Sequence, residues 1–397
     1  MTNTVKVDIA IIGGGIAGLW LLNSLQAKGY SAVLFEQNEL GSDQTVASQG
    51  MIHGGVKYAL TGALSGESEA IVDMPGHWKA CLKGEADVDL RDTKVLSEEF
   101  YMWSAGKLAS KLTTFFASKA LRGRIESLKS KNYPAVFTNK KFKGNVYKLV
   151  DVVLDAPSLI ANLQHNAKDK IFSVDWNHSK LETINGNAML CVNGINIDAK
   201  KIILAAGKGN GDLMAMVKLA QPAMQLRPLR QVVIKHSNQH MLYAHCIGAS
   251  LSASPRLTIS SHQCTDGKTA WYLGGDLATN GASLSSDELI AKAKTEINDL
   301  FPWLDWSDAQ WATLYIDRAE PQQKGLIKPD NAFAQSAGKD VIVAWPTKLT
   351  LAPSLTIEVS KILDDENVMP TAAENMQVLS QLTTPVIAEP CWETLFK

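Results

Sequence analysis

The 397-residue chain contains no CxxC pair, and its five cysteines (Cys81, Cys191, Cys246, Cys264 and Cys391) are odd in number and far apart. That argues against a zinc ribbon, a cysteine-bound iron–sulfur cluster and a vicinal redox disulfide. Free, mostly buried thiols in a reducing cytoplasm are the expectation. An excess of charge is also missing: 39 Lys and Arg stand against 40 Asp and Glu, so nothing recommends nucleic acid as a partner. No apolar run nears the ~20 residues of a membrane span. The stretch 9–22 is interrupted by Gly13-Gly14-Gly15 and precedes no small-residue cleavage site, so it does not read as a signal peptide. Internal repeats and low-complexity tracts are absent as well. What remains is a globular protein, expected in the cytoplasm, with no membrane span and peripheral attachment as its one open membrane role. A hydrophobic content of 46 % and a charged content of 20 % suit a large core. The length fits two to three domains at ~150 residues each.

Residues 5–12 are apolar on both faces and rich in β-branched side chains, the pattern of a buried parallel strand. The glycine triplet ends that strand. A helix is predicted over 16–28, closed by Gly29, and a second strand over 31–36, making a βαβ unit. Further apolar strands are predicted at 201–206 and 341–345. The first runs into Gly207-Lys208-Gly209-Asn210-Gly211 and a helix from about 212; the second ends at Pro346, with a helix over about 355–363. Alternation predicts strands at 229–235 and 269–274, and an amphipathic helix near 286–300. The tail after Pro370 is expected to wrap the surface. The fold class is therefore α/β. A discontinuous Rossmann-like domain is assembled from about 1–80, 150–225 and 321–397, beside a second, largely antiparallel α+β substrate domain from 81–149 and 226–320.

Chemistry enters at Gly13-x-Gly15-x-x-Gly18, set between strand and helix. Gly13 permits the tight turn, Gly15 lets backbone approach a pyrophosphate, and Gly18 lets the helix pack on the strand. The helix N-terminus adds free N–H groups and partial positive charge. Glu36 follows 18 residues after Gly18, close to the ~20 expected of a carboxylate that accepts ribose hydroxyls. The plainer alternative is a structural glycine turn. Gly207-x-Gly209-x-Gly211 has the wrong spacing for a second dinucleotide site, so a single site holding FAD is the better reading.

With Ser48-Gln49-Gly50-Met51-Ile52-His53-Gly54-Gly55-Val56-Lys57-Tyr58, Ile202-Ile203-Leu204-Ala205-Ala206-Gly207 and Leu349-Thr350-Leu351-Ala352-Pro353, the chain resembles the D-amino-acid oxidase superfamily of FAD-dependent oxidoreductases. That group includes glycine oxidase, sarcosine oxidase, 2-hydroxyglutarate dehydrogenase and flavin-linked glycerol-3-phosphate dehydrogenase. The resemblance implies FAD contacts at Gly13, Gly15, Ile16, Ala17, Gly18, Glu36, Ser48, Gln49, Gly50, Val174, Ala206, Gly207, Lys348, Leu349 and Thr350. It departs from the glycerol-3-phosphate branch at Gln49 and Gly50, and at Leu349-Thr350-Leu351-Ala352, where an arginine is missing.

Three residues are expected at the reaction. His53 would orient the flavin, act as base or link it covalently, against the simpler role of packing on the cofactor edge. Arg318 would bind a substrate carboxylate through its fork, against an ion pair with Asp317 or Glu320. Lys348 would face the flavin's pyrimidine end, against a solvated lysine. Lys57 and Tyr58 could face substrate or form helix surface and core, while Trp271, Tyr272 and Trp345 read as core aromatics. His236, His240, His245 and His262 lack metal-ligand spacing, and no metal is expected. The implied activity is removal of a hydride equivalent from a small amino or hydroxy acid, with oxygen or a quinone as electron acceptor. The alternatives are a glycerol-3-phosphate dehydrogenase-like activity and a non-catalytic flavin-binding redox partner.

Overall fold

Strand β1 (Thr4–Ile12) is buried along nearly its whole length because it offers apolar side chains to both faces. Helix α1 (Ile16–Ala27) returns along it, and β2 (Ala32–Glu36) pairs parallel to it, Ile9 opposite Ala32 and Ile12 opposite Phe35. The computed structural model describes residues 3–56, 71–104, 125–248, 255–324 and 329–397; Lys57 and Tyr58 lie outside them. Downstream come helix α2 (Met74–Leu82), the longer strands β3 (Ile195–Leu204), β4 (Met224–His236), β5 (Gln310–Pro321) and β6 (Val341–Trp345), and helix α3 (Ala352–Asp365).

The first sheet is built on the parallel order β6, β3, β1, β2 and Ile171–Ser173, with Phe333–Ala337 antiparallel at one edge. Alternate residues of β1 feed two cores. Ile9 and Ile11 pack with Trp20, Leu355 and Val359 on one face. Ala10 and Ile12 pack with Leu204, Leu213 and Val343 on the other. β3 begins at Ile195, not at residue 201 as the apolar run implied, because residues 195–200 alternate and residues 195–197 pair with 190–192 of the hairpin Lys180–Ile184/Asn187–Val192. The helix after it begins at Asn210, and α3 begins at Ala352, where Pro353 sits in the first turn.

The second sheet takes eight strands from residues 100–149 and 224–321 and is antiparallel except where Ala244–Ile247 runs parallel to Phe100–Ser104. Its main core forms under helix Ser286–Leu300, whose start carries a Ser285/Glu288 capping box. Residues 81–90 do not belong with this sheet: Cys81, Val88 and Leu90 share the core of Trp20 and α3. The tail does more than wrap the surface. Leu40 bridges to Ile387, and Trp392 is buried in the second lobe, stacked on His262 at 3.8 Å. Burial pushes the His262 imidazole down to about 3, and His236, between Trp271 and Trp306, down to about 4. Both are core histidines.

One buried charge ties β1 to the tail. Asp8 accepts hydrogen bonds from the Ser31 and Thr371 amides (2.8 Å each) and pairs with Lys200 Nζ at 2.7 Å. Burial pushes its carboxyl up, but Lys200 and Thr371 outweigh burial and hold the pKa at about 2. This stability is present above the unfolded value of 3.8 and is lost as pH falls through about 2. Asp8→Asn should therefore cost about 2 kcal/mol at pH 7. Urea unfolding should show the gap from wild type closing as the medium is acidified toward pH 2.

Candidate active site

The turn after β1 is shaped by two steric demands. Gly13 sits at φ +116°, and a Cβ there would lie 2.6 Å from Ala206 Cα. A Cβ on Gly18 would lie 1.9 Å from the Gly13 carbonyl oxygen. Gly15 is different: its backbone is extended (φ −78°, ψ −175°), and a Cβ would meet only Thr45 Oγ1 at 3.2 Å. The space in front of it is cavity. α1 starts there with neither a side-chain cap nor an acidic residue in its first turn, so its positive end faces the cavity.

That cavity measures about 960 Å³, near the upper end of the ~300–1,000 Å³ usual for small-molecule and cofactor pockets. It is lined by Glu36 and Trp176, by Gly13, Gly15, Ile16 and Ala17, and by His53, Trp345 and residues of both β4 and β5. Glu36 is fixed by backbone donors, Gly14 N to Oε2 at 2.5 Å and Asn38 N to Oε1 at 2.7 Å. Ser48, Gln49 and Gly50 line the cavity too. Gln49 Nε2 donates to the Tyr272 carbonyl at 3.0 Å, carrying this segment across to the second sheet. Ala206, Gly207, Lys348, Leu349 and Thr350 complete the wall. Val174 is not part of it: its side chain is buried in the core behind β2, and its N–H donates to the Glu36 carbonyl.

His53 is buried on the wall, and its amide donates to Thr350 Oγ1 at 3.1 Å, which clamps its loop to the C-terminal one. Trp78 on α2 supports the same clamp by donating to the Thr350 carbonyl at 3.0 Å. Lys348 lines the cavity but is not a solvated lysine: its Nζ donates to the carbonyls of Pro329 and Asp330 at 3.2 and 3.1 Å. Arg318 also lines the cavity, and neither expected acid pairs with it. Glu320 is held by Arg227 through Nε (2.8 Å) and Nη2 (3.0 Å), with Gln225 as a third donor. Arg318 donates instead to the carbonyls of Arg227 and Pro228 at 3.1 and 3.2 Å. Burial, then the nearby Arg227 charge, lowers its pKa to about 10.

Four residues escaped the sequence reading. Thr45 Oγ1 accepts from the Ile16 amide at 3.1 Å. Arg227 stands opposite Arg318 in the β4/β5 ladder. Asp43 and Lys208, both on the cavity wall, pair at 2.7 Å between its two sides. No local motif marks any of them. The Asp43–Lys208 pair is partly exposed, so its contribution is modest. Lys208→Ala should speed release of a bound dinucleotide by roughly two- to fivefold, and the difference should vanish in high salt. Stopped-flow transfer of flavin to an acceptor apoprotein measures it.

An N-terminal helix end without acid, a turn glycine open to a long cleft and a fixed carboxylate at the end of β2 together fit the pyrophosphate and ribose of FAD. The chain belongs to the FAD dependent oxidoreductase family (DAO), whose model matches residues 8–341. It is thus an FAD-dependent oxidoreductase. It is 46 % identical over 400 residues to the probable FAD-dependent oxidoreductase PA4991 of Pseudomonas aeruginosa, the match spanning 100 % of both chains. The crystal structure of PA4991 superposes with a TM-score of 0.86 over 100 % of each chain. Glycine oxidase from Geobacillus kaustophilus shares the fold (TM-score 0.65, 16 % identity, 93 % of this chain and 96 % of that one). A glycerol-3-phosphate dehydrogenase of Pseudomonas tolaasii is 41 % identical over 51 residues, 13 % of this chain and 10 % of that one. Among the described residues, no helix is long and apolar enough to cross a membrane.

Proposed function

We propose that the protein oxidises a small amino or hydroxy acid whose carboxylate is gripped by Arg318. The observation that supports this reading is the condition of that side chain: a partly buried guanidinium on the cavity wall, bonded to backbone carbonyls, whose charged form burial and Arg227 disfavour. A carboxylate supplies the counter-charge, and the planar fork matches it. Arg227 is unsuited to the task because Glu320 already neutralises it. Held by its carboxylate, the substrate presents its α C–H in one position, which removes most of the orientational cost of the transfer. FAD, when bound, supplies the acceptor for the hydride equivalent. His53, buried on the same wall, is the group we assign to the hydroxyl or amino proton. Reoxidation falls to oxygen or a quinone.

Glycerol 3-phosphate is the second reading, favoured by the 51-residue match. A phosphate near neutral pH carries more charge than one guanidinium offsets. The test is anaerobic: mix the flavoprotein with a panel of amino acids, 2-hydroxy acids and glycerol 3-phosphate and follow flavin bleaching. Reduction by a carboxylate member supports the reading. Reduction by glycerol 3-phosphate alone overturns it.

A further inference from the structure

Helix α2 faces the C-terminal cavity loop through Trp78 and turns a different side toward a cluster that the oxidoreductase chemistry does not use. His77 and Cys81 are four residues apart, hence on one helical face. The chain then reverses through Gly84, at φ +73°, where a Cβ would lie 2.9 Å from the Arg91 side chain. Backbone bonds from Glu85 N to the Ala80 carbonyl (2.9 Å) and from Leu90 N to the Cys81 carbonyl (3.0 Å) fix the reversal. It returns Asp87 to the His–Cys face. His77 Nε2 lies 3.0 Å from Asp87 Oδ1, and Cys81 Sγ lies 3.9 Å from the same oxygen.

We propose that His77, Cys81 and Asp87 form a binding site for a borderline-soft divalent cation of the Zn²⁺ class. All three donor atoms lie within 4.8 Å of one another. Tetrahedral Zn²⁺ with bonds of about 2.0–2.3 Å sets its ligands roughly 3.3–3.8 Å apart, so closure needs only small side-chain shifts. His77 Nε2 is a buried atom 3.0 Å from Asp87 Oδ1, so the nitrogen and the carboxylate oxygen already converge on the point an ion would occupy, and binding replaces their ion pair. Thiolate, imidazole and carboxylate together suit Zn²⁺ better than the hard Ca²⁺ or Mg²⁺. The side chains of His77 and Asp87 are each about a third exposed, which leaves an entry path and a fourth position for water. Binding removes the Cys81 thiol proton and the proton that His77 Nε2 holds toward Asp87, and releases both to solvent. This replaces the expectation of no metal, which considered other histidines.

The ion would have a bracing role. Trp78, on the same helix, packs at a tilt against Trp20 (4.5 Å between ring centres) and donates to the Thr350 carbonyl. Pro75, at the start of the helix, abuts the Gly54 position next to His53. Fixing the reversal after α2 stiffens this support for the cavity loops.

The test uses the FAD-loaded protein, freed of metal by a chelator and titrated with Cd²⁺ while the ultraviolet thiolate-to-metal band is followed. One equivalent is expected to saturate the band in wild type. His77→Ala and Asp87→Asn should each weaken binding at least tenfold, and Cys81→Ser should abolish the band. Zn²⁺ should raise the Tm of wild type but not of these variants. If the buried Cys81→Ser variant fails to fold, the two partly exposed positions still decide. A wild type without the band at stoichiometric Cd²⁺ overturns the proposal. So does a band of undiminished affinity in both His77→Ala and Asp87→Asn, which would place the ion on another thiol such as the partly exposed Cys191.

Discussion

Gly15→Leu is expected to fold normally and come off the column colourless. The backbone at Gly15 is extended, a conformation any residue adopts, and a Cβ would touch only Thr45 Oγ1 at 3.2 Å. Thr45 need give by only a few tenths of an ångström, and the position opens on the cavity in front of the α1 N-terminus. A pyrophosphate drawn to that helix end must occupy the same space. Forcing atoms into filled space costs about 1–3 kcal/mol or more, so FAD affinity should fall roughly 100-fold. Gly18→Ala is the contrast, because its Cβ would sit 1.9 Å from the Gly13 carbonyl oxygen and so damage the fold itself. The ratio of flavin to protein absorbance, read beside circular dichroism, separates the two. A yellow Gly15→Leu protein would mean the cofactor does not lie against this turn.

Arg318→Lys should leave FAD content unchanged and raise the substrate concentration needed for half-maximal flavin reduction by roughly 10- to 100-fold. The expected size follows from hydrogen bonds to charged groups, which contribute about 1.5–3 kcal/mol each. Lysine keeps the charge but loses the fork, so one of two parallel bonds goes. It also loses the donors to the Arg227 and Pro228 carbonyls that hold the guanidinium in place. The limiting rate at saturation should change less than the half-saturation point, since a group that grips the carboxylate does not touch the reacting C–H. Anaerobic stopped-flow measurements separate the two quantities. Equal half-saturation in variant and wild type would make Arg318 a structural residue.

The nucleotide half of the site was legible because its signals are local. Gly13, Gly15 and Gly18 fall within one turn between a strand and a helix, and Glu36 closes the next strand. Helix Ser286–Leu300 was legible for the same reason, its amphipathic pattern coinciding with its observed ends. The beginning of β3 was missed even though Ile195, Ile197 and Ala199 alternate with polar residues, and Asn193-Gly194 marks a tight hairpin turn with both φ values positive. The apolar run from residue 201 covers only the C-terminal part of the strand. The substrate half was less legible because it depends on register. Asp317 adjoins Arg318 in a strand and so points to the opposite face. Glu320 shares Arg318's face, but the twelve paired positions of β4 and β5 bring Gln225 and Arg227 against it instead. Only the cross-strand pairing draws Glu320 away from Arg318, and no sequence spacing reports it.

The carboxylate grip is tested most directly by equilibrium binding of a non-oxidisable small carboxylate and its isosteric amide, followed through the flavin absorption spectrum. The carboxylate is predicted to perturb the spectrum and to bind at least tenfold more tightly than the amide in wild type, with that preference largely lost in Arg318→Leu. Equal binding of acid and amide by wild type, or an undiminished preference in Arg318→Leu, would contradict the assignment.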